Sequence, residues 1–167
     1  MLSEKLLAAL NEQINLEFYS SYAYLAMSAY FDGERLEGFA GWMRTRSQEE
    51  WGHGMKIMSH VLDRGGKVSL QAIEAPPGGW RSPLNAVQDA LAHERKVTKS
   101  INDLYALSMA AKDYPAQVML QWFVTEQVEE ENTVGLAAHK LEVIGKDRTA
   151  LLMLDGQAGV MGAEGAE

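Results

Sequence analysis

The sequence contains no cysteine among its 167 residues. Disulfide bonds, thiolate-held iron–sulfur clusters, cysteine-ligated zinc and thiol nucleophiles are therefore excluded. Long apolar runs are also missing, since none approaches the roughly 20 residues that a membrane-spanning helix requires. The N-terminus lacks the basic and apolar segments of a secretory signal. We therefore expect a cytoplasmic protein, or a plastid protein if a transit peptide has been removed.

Basic residues are fewer than acidic ones, and the net charge is −8 at neutral pH. An acidic surface disfavours nucleic acids and anionic membranes as partners and favours cations. The hydrophobic fraction of 47% is ordinary for a folded protein. The length suits one domain, which we assign to residues 1–167, with enough material for a sizeable core.

Proline is scarce, and three of the four prolines fall in one stretch, from Gly65 to Pro83, that also holds four glycines. This stretch is predicted to be a long irregular connection. Helical patterns dominate elsewhere, with a turn expected at Phe31-Asp32-Gly33. They predict four helices of about 28 residues, a short fifth helix and a mobile tail: residues 3–30, 36–64, 84–111, 115–144, 149–154 and 155–167, respectively. The fold class is therefore all-α, a four-helix bundle whose long connection is a crossover between helices two and three.

The inward-facing stripe of each long helix is mainly apolar but carries one glutamate near its middle. These residues are Glu17, Glu50, Glu94 and Glu130. The stripe of the second helix reads Phe39, Met43, Arg46, Glu50, His53 and Ile57. A glutamate is almost never buried without a partner. Four at similar depth, joined by one histidine, indicate a shared metal centre.

The spacing of these residues indicates how two metal ions would be held. Glu50 and His53 form a Glu-x-x-His pair on one helix face, as in di-iron carboxylate bundles. Glu50 is placed to bridge both ions, with Glu17 and His53 completing one site. The ligands that complete the other site are Glu94 and Glu130. Carboxylates with one imidazole suit iron or manganese, and zinc can compete.

Three further acids accompany this set: Glu49, Glu126 and Glu129. Glu49 precedes Glu50, and the other two form an i, i+3 pair beside Glu130. They are candidates for a third, weaker iron site on the side that would face a cavity. The alternative interpretation is a solvated acidic face without metal.

At this point the chain resembles the ferritins of the bacterial, non-haem type. The resemblance extends from Leu6 to Leu154 and includes the helix order and the long loop. Its motif residues are Glu17, Tyr24, the Glu49-Glu50-x-x-His53 group, Glu94, Trp122, and the Glu126-Gln127-x-x-Glu130 group. Two departures from the haem-binding bacterioferritins argue against haem. Trp51 follows Glu50, where those proteins carry a haem-ligating methionine, and Glu130 replaces a second metal-binding histidine.

The resemblance implies a cage of twenty-four subunits that stores iron as a ferric mineral. Each subunit would hold two irons at a ferroxidase centre, where O2 or H2O2 oxidises Fe(II) to Fe(III). Tyr24 resembles the family tyrosine that supplies an electron beside the di-iron site, and Trp122 is a second such candidate. Ordinary packing is the alternative for both aromatic residues. Gln127 is expected to hydrogen-bond a ligand without binding metal.

Two other functions are compatible with a helical bundle. A rubrerythrin-type di-iron oxidase would act on a substrate other than iron, but such proteins usually carry two Glu-x-x-His motifs and often a cysteine-rich domain. A metal-free scaffold would leave the four inward acids unexplained.

Overall fold

The computed structural model describes residues 2–164, and the side chains of residues 2–160. That part of the chain forms five α-helices and no strand. The helices are α1 (Glu4–Gly33), α2 (Glu37–Asp63), α3 (Pro83–Ala110), α4 (Tyr114–Ile144) and α5 (Arg148–Glu164). The predicted fold class, a ferritin-like helical bundle with a fifth helix, is confirmed.

Three of the long helices begin at side chains that accept hydrogen bonds from the first turn. Ser3 accepts from the amide of Leu6 in α1, at 3.3 Å. Ser82 and Asp113 cap α3 and α4 in the same way, each over 3.1 Å, and a proline follows in the first turn of both helices. These caps satisfy amides that have no partner within the helix, and they fix where each helix begins.

Two hydrophobic clusters occupy opposite ends of the bundle, and every long helix contributes to both. We call them the A cluster, which includes Leu10, Ile57, Ile101 and Leu120, and the B cluster, which includes Phe31, Met43, Val87 and Val134. The chain passes from A to B along α1 and α4, and from B to A along α2 and α3. Helices α1 and α2 are therefore antiparallel, as are α3 and α4, whereas α2 and α3 run in the same direction.

The connection between α2 and α3 must return along the bundle because those two helices are parallel. It does so beside α1. Near its start, Ser69 donates its amide proton to Asn11 Oδ1 at 2.7 Å. Near its end, the ring of Trp80 meets that of Tyr30 edge to face, with centroids 5.4 Å apart. Asn11 and Tyr30 lie almost 30 Å apart along a helix at about 1.5 Å per residue.

The first turn of the bundle comes later than the sequence predicts. We expected a turn at Phe31-Asp32-Gly33, but α1 continues through Gly33 and the chain reverses at Arg35, which has a φ of 62°. Phe31 is fully buried and stacks on Phe39, with ring centroids 5.1 Å apart. Keeping Phe31 helical therefore places a large apolar ring in the B cluster, which outweighs the poor helix propensity of Asp-Gly.

The fifth helix is much longer than the predicted segment at 149–154, and residues 155–164 are not the mobile tail that we expected. Leu154 and Ala158 are buried in the B cluster. A Cβ added to Gly159 would lie 3.4 Å from the Cα of Gly38, so glycine permits close packing of α5 on α2. Residues 165–167 of the predicted tail lie outside the described part of the chain.

None of the helices in the described residues is both long enough and apolar enough to cross a membrane.

Candidate metal centre

A polar layer separates the two hydrophobic clusters at the middle of the bundle. Each long helix reaches it between its A-cluster and B-cluster residues, and each contributes one buried glutamate there. The four side chains are at most 3% exposed: Glu17, Glu50, Glu94 and Glu130. Helical periodicity placed these acids on the inward face, and the crossing of four helices brings them to one depth.

Glu17, Glu50 and His53 converge in this layer. One ligand atom from each of the three lies within 4.8 Å of the others, a spacing that a single metal ion can bridge. Glu50 Oε2 is 3.2 Å from Nδ1 of His53. The second oxygens, Oε2 of Glu17 and Oε1 of Glu50, are buried and have no hydrogen-bond partner. Buried anionic oxygens without partners are costly, and a cation would satisfy both.

Gln13 holds Glu17 in position. Its amide nitrogen donates to Glu17 Oε1 at 2.7 Å, and its amide oxygen accepts from Ser100 at 2.5 Å. An ionised carboxylate can only accept, so Glu17 selects the nitrogen end of the amide, whereas the serine hydroxyl could pair with either end. Because Glu17 Oε1 is engaged, the unpaired Oε2 is the atom available to a metal ion.

Glu94 lies opposite this group and accepts hydrogen bonds on both oxygens. The hydroxyl of Tyr24 donates to Oε1 over a short contact, and the amide of Gln127 donates to Oε2 at 3.2 Å. Gln127 also reaches Thr98 Oγ1 at 3.2 Å. Tyr24 and Gln127 therefore orient the carboxylate, and Gln127 has the hydrogen-bonding position that we expected for it.

Glu130 forms an ion pair that the sequence did not predict. Its Oε2 contacts Nη2 of Arg46, and Nη1 of the same guanidinium lies 3.0 Å from Oε2 of Glu49. Arg46 is only 8% exposed, and its guanidinium carbon lies 5.8 Å from the centroid of the Tyr24 ring. Glu49, one of the candidate third-site acids, therefore shares a buried arginine with Glu130.

The remaining predicted residues lie at the edge of this layer. Glu126 is half-buried and Glu129 is exposed. Trp122 is 38% exposed, and its ring meets the ring of His53 edge to face at 5.4 Å. The ammonium of Lys56 lies over the Trp122 ring, 3.9 Å from its centroid. Within the described residues, the acids Glu49, Glu126, Glu129 and Glu130 do not form a group close enough to hold a metal.

The pKa values of the buried acids do not all shift in one direction. Burial and mutual repulsion raise two of them, and the neighbouring histidine lowers a third. Burial, and then the charge of Glu50, raise the pKa of Glu17 well above 4.5 and that of Glu94 to a lesser degree. Burial also acts to raise the pKa of Glu50, but the hydrogen bond and charge of His53, with Arg46, lower it overall. Of Glu17, Glu50 and Glu94, Glu50 is therefore the acid that stays ionised most readily, as a bridging ligand requires.

Burial likewise raises the pKa of Tyr24 well above 10, and the charge of Glu94 adds to this rise. The phenol therefore keeps its proton and remains a donor to Glu94. The pKa of His53 is raised, because its contact with Glu50 outweighs the burial that lowers it. A metal ion that binds His53 must displace this proton.

Gln13 and Arg46 are the functional residues of the layer to which sequence reasoning assigned no role. Arg46 stands in the inward stripe of α2, one turn before Glu50, and an arginine at a core position signals a nearby acid. Gln13 lies one turn before Glu17 on α1. A polar residue one turn from a buried acid is a weaker signal, because exposed helix faces show the same spacing.

The chain matches the family model for the ferritin-like domain over residues 7–144. It is 41% identical to the bacterial non-haem ferritin of Bacteroides fragilis over 159 residues, which cover 95% of this chain and 99% of that protein. It is 43% identical to the bacterial non-haem ferritin of Staphylococcus epidermidis over 155 residues, which cover 93% of both chains. The open-pore ferritin of the archaeon Archaeoglobus fulgidus superposes with a TM-score of 0.94 at 48% identity, covering 96% of this chain and 99% of that one. The match therefore spans the bundle and its polar layer, and the chain belongs to the ferritin family.

Proposed function

We propose that this protein is an iron-storage ferritin with ferroxidase activity, which oxidises Fe(II) inside the bundle and deposits the ferric product in a cage cavity. The observation that carries the proposal is the convergence of Glu17, Glu50 and His53, with two buried carboxylate oxygens that lack partners. Fe(II) is the substrate in this scheme. Membership of the ferritin family supports the choice of iron over other divalent metals.

We assign two substrate ions to the polar layer. Glu17 and His53 hold the first, Glu94 and Glu130 hold the second, and Glu50 bridges them. The lowered pKa of Glu50 supports the bridging role, since that carboxylate is ionised before those of Glu17 and Glu94, whose pKa values are raised. Glu94 can present either oxygen to an ion once Tyr24 or Gln127 yields its hydrogen bond.

Carboxylate ligands suit the oxidation because anionic oxygens stabilise Fe(III) more than Fe(II). Each of the two ions gives up one electron. With O2 as oxidant, the two electrons and two protons yield H2O2. With H2O2 as oxidant, the same electrons and protons yield two water molecules.

We assign Tyr24 as an electron donor that can replace one Fe(II), so that one iron and the phenol together supply the two electrons that the oxidant takes. Its hydroxyl already donates to Glu94 Oε1, so the phenolic proton has an acceptor in place when the ring loses an electron. Trp122 is the weaker candidate. The ammonium of Lys56 over its ring disfavours a positive charge on the indole.

We propose that twenty-four copies assemble into the cage, with iron leaving the bundle for the central cavity. The full-length likeness to the Archaeoglobus fulgidus ferritin supports this assembly, because a chain of the same fold and length can present the same surfaces. The bacterial source of the curated relatives favours the cytoplasm over a plastid.

The proposal is tested by mixing the metal-free protein with two Fe(II) per subunit in aerobic stopped flow. We expect a fast absorbance rise in the parent protein and its loss in the Glu94→Ala variant. Glu142→Ala is the matched control, because Glu142 is an exposed glutamate on α4 away from the polar layer. Slow oxidation in all three proteins, near the rate without protein, would contradict the ferroxidase assignment even though the fold is that of a ferritin.

A further inference from the structure

Arg46 is an unusual residue for a metal-binding layer, because it places a permanent positive charge among the ligands. Its side chain is buried and lies one turn before Glu50 on α2. Burial acts to lower its pKa, but Tyr24, Glu49 and Glu94 outweigh this and raise it. The guanidinium is therefore charged at every pH at which the protein would work.

The guanidinium of Arg46 lies between two acids of different helices. Its two terminal nitrogens contact different acids, Glu49 on its own helix and Glu130 on α4. Glu49 belongs to the set that the sequence offers as a third iron site, and Glu130 directly follows Glu129 of that set in the sequence. Within the described part of the chain, only Glu17, Glu50 and His53 bring ligand atoms within 4.8 Å of one another, and the acids of the second and third positions do not. The arginine, and not the spacing of the acids, therefore distinguishes the third position from the second.

We propose that Arg46 is a cation supplied by the chain itself, which fills the position between Glu49 and Glu130, so that each subunit binds two metal ions and no third. The proposal rests on the proposed function for the identity of those two ions. It adds a residue that sets the metal stoichiometry of the same site.

An arginine is well suited to exclude a metal from this position. Its planar guanidinium can face two carboxylates at once. Nη1 donates a charge-assisted hydrogen bond to Glu49 Oε2 at 3.0 Å, and Nη2 forms an ion pair with Glu130. A divalent ion entering between Glu49 and Glu130 would meet that positive charge in a poorly solvated layer, where repulsion is weakly screened. The acids are also already neutralised in part, so they offer the ion less attraction.

The ion pair leaves the second iron position open. The contact of Arg46 with Glu130 is made to Oε2 of that carboxylate. Glu130 can therefore serve the second metal through Oε1 while Arg46 holds Oε2. Arg46 acts in this way as a positioning residue for Glu130 as well as an occupant of the neighbouring site.

The test is the number of metal ions bound per subunit at equilibrium by the metal-free, assembled protein. Zn(II) is the redox-inert probe, and Fe(II) is used under strictly anaerobic conditions. We expect two equivalents in the parent protein and three in Arg46→Gln, which removes the charge but keeps a polar side chain. Arg46→Lys, which keeps the charge, should return to two. Arg46→Gln combined with Glu49→Gln should also bind two, because Glu49 serves only the third position.

The stoichiometries separate this proposal from the proposed function. Three equivalents in the parent, or two in Arg46→Gln, would overturn the role of Arg46 and leave the two-ion site intact. Fewer than two in the parent would overturn the proposed function and the role of Arg46 together. A merely structural role for Arg46 would lower stability in both Arg46→Gln and Arg46→Lys without adding an ion to either.

A measurement on the parent protein alone covers the case in which Arg46→Gln fails to fold. Crystals soaked in excess Zn(II) are examined for anomalous scattering at the polar layer. We expect metal peaks at the two proposed positions, with the Arg46 guanidinium still between Glu49 and Glu130. A zinc peak between those two acids, with the arginine displaced, would overturn the proposal.

Discussion

Glu17 illustrates at the scale of one residue how metal binding conflicts with stability. It is fully buried, and burial with the charge of Glu50 raises its pKa well above 4.5. A carboxyl whose pKa is raised on folding favours the folded state below its unfolded pKa. That contribution is lost as pH rises through the folded value. The metal-free protein should therefore lose stability as pH rises above about 4.5 toward the folded pKa of Glu17.

We expect Glu17→Gln to stabilise the metal-free protein at pH 7 and to flatten its pH dependence above pH 4.5. Glutamine cannot ionise, yet its oxygen can still accept the hydrogen bond from Gln13. Melting in the presence of a chelator measures the effect. A gain of about 1 kcal/mol raises Tm by roughly 2–4 °C in a chain of this size. Glu12→Gln, at an exposed position of the same helix, should change little, and a lower Tm for Glu17→Gln would refute the argument.

Tyr24→Phe tests the hydrogen bond to Glu94 separately from any electron transfer. The hydroxyl of Tyr24 lowers the pKa of Glu94, against the rise caused by burial and Glu50. Its loss should raise that pKa further, so that protons compete more strongly with metal at Glu94. We expect Zn(II) affinity at the second position to fall several-fold near pH 6 and to recover near pH 8. Zinc has no redox chemistry, so titration calorimetry at both pH values isolates this effect.

The control for that experiment is Tyr22→Phe, because Tyr22 is a half-exposed tyrosine of the same helix. Equal affinity of Tyr24→Phe and parent at pH 6 would mean that the hydroxyl does not tune Glu94. Any loss of iron oxidation in Tyr24→Phe would then point to its proposed electron transfer.

The sequence predicts the position of a residue when that position depends on one helix alone. It does not predict a contact that depends on how two helices are rotated relative to each other. The inward positions of Glu17 and Glu94 follow from the 3.6-residue period of their own helices. The role of Arg46 does not follow from the period of its own helix. Its partner Glu130 lies 84 positions further along, on α4, and the pattern of α2 does not fix the rotation of α4. The Arg46 side chain could equally have pointed along α2 toward solvent.

The N-terminus of α2 is completed by a residue from another element. Leu36, at its start, offers no capping side chain. Asp155 of α5 accepts hydrogen bonds instead, from the amide of Gly38 at 3.1 Å and from that of Phe39 at 2.8 Å. A Cβ at Gly38 would lie 1.8 Å from the backbone oxygen of Asp155, so only glycine allows this approach. The carboxylate also complements the positive end of the helix dipole.

We expect Asp155→Ala to destabilise the protein by about 0.5–2 kcal/mol, the usual cost of removing a helix cap. The loss should be local, because the capped amides belong to the first turn of α2. Hydrogen exchange should therefore accelerate at Gly38 and Phe39 and change little at Ile57, deep in the same helix. Asp155→Asn keeps a side-chain acceptor and should show most of the parent's protection. Unchanged exchange in Asp155→Ala would show that α5 does not support α2.

The packing of α5 on α2 explains why the sequence underestimates the length of α5. Its small residues, among them Gly156 and Gly159, were interpreted as a flexible tail because glycine weakens isolated helices. In the bundle Gly159 permits close contact with Gly38 of α2, and burial of Leu154 and Ala158 compensates for the poor helix propensity of the glycines. The four long helices were predicted to within a few residues at each boundary, since caps and prolines mark most of their ends in the sequence itself.

At the scale of the whole molecule, the polar layer links metal binding to the stability of the entire bundle. Its proposed ligands come from all four long helices, so unfolding must release the metal. A ligand that binds only the folded state stabilises it by about 2.7 kcal/mol when its concentration is 100 times the dissociation constant. The stabilisation should exceed that of an ion held by surface acids, because a surface ion need not leave when the core opens.

We therefore expect Zn(II) at 100 times its dissociation constant to raise the Tm of the parent by roughly 5–10 °C, from about 2–4 °C per kcal/mol. At a fixed zinc concentration, the rise should grow with pH between 5 and 7, because the raised pKa values of Glu17 and Glu94 make protons compete with zinc at the lower pH. Differential scanning calorimetry of parent, Glu50→Ala and the surface control Glu142→Ala measures it. Glu50→Ala should lose most of the rise, whereas the control should keep it. An equal rise in all three would place the bound zinc on the acidic surface, and the net charge of −8 would then explain metal binding without any buried site.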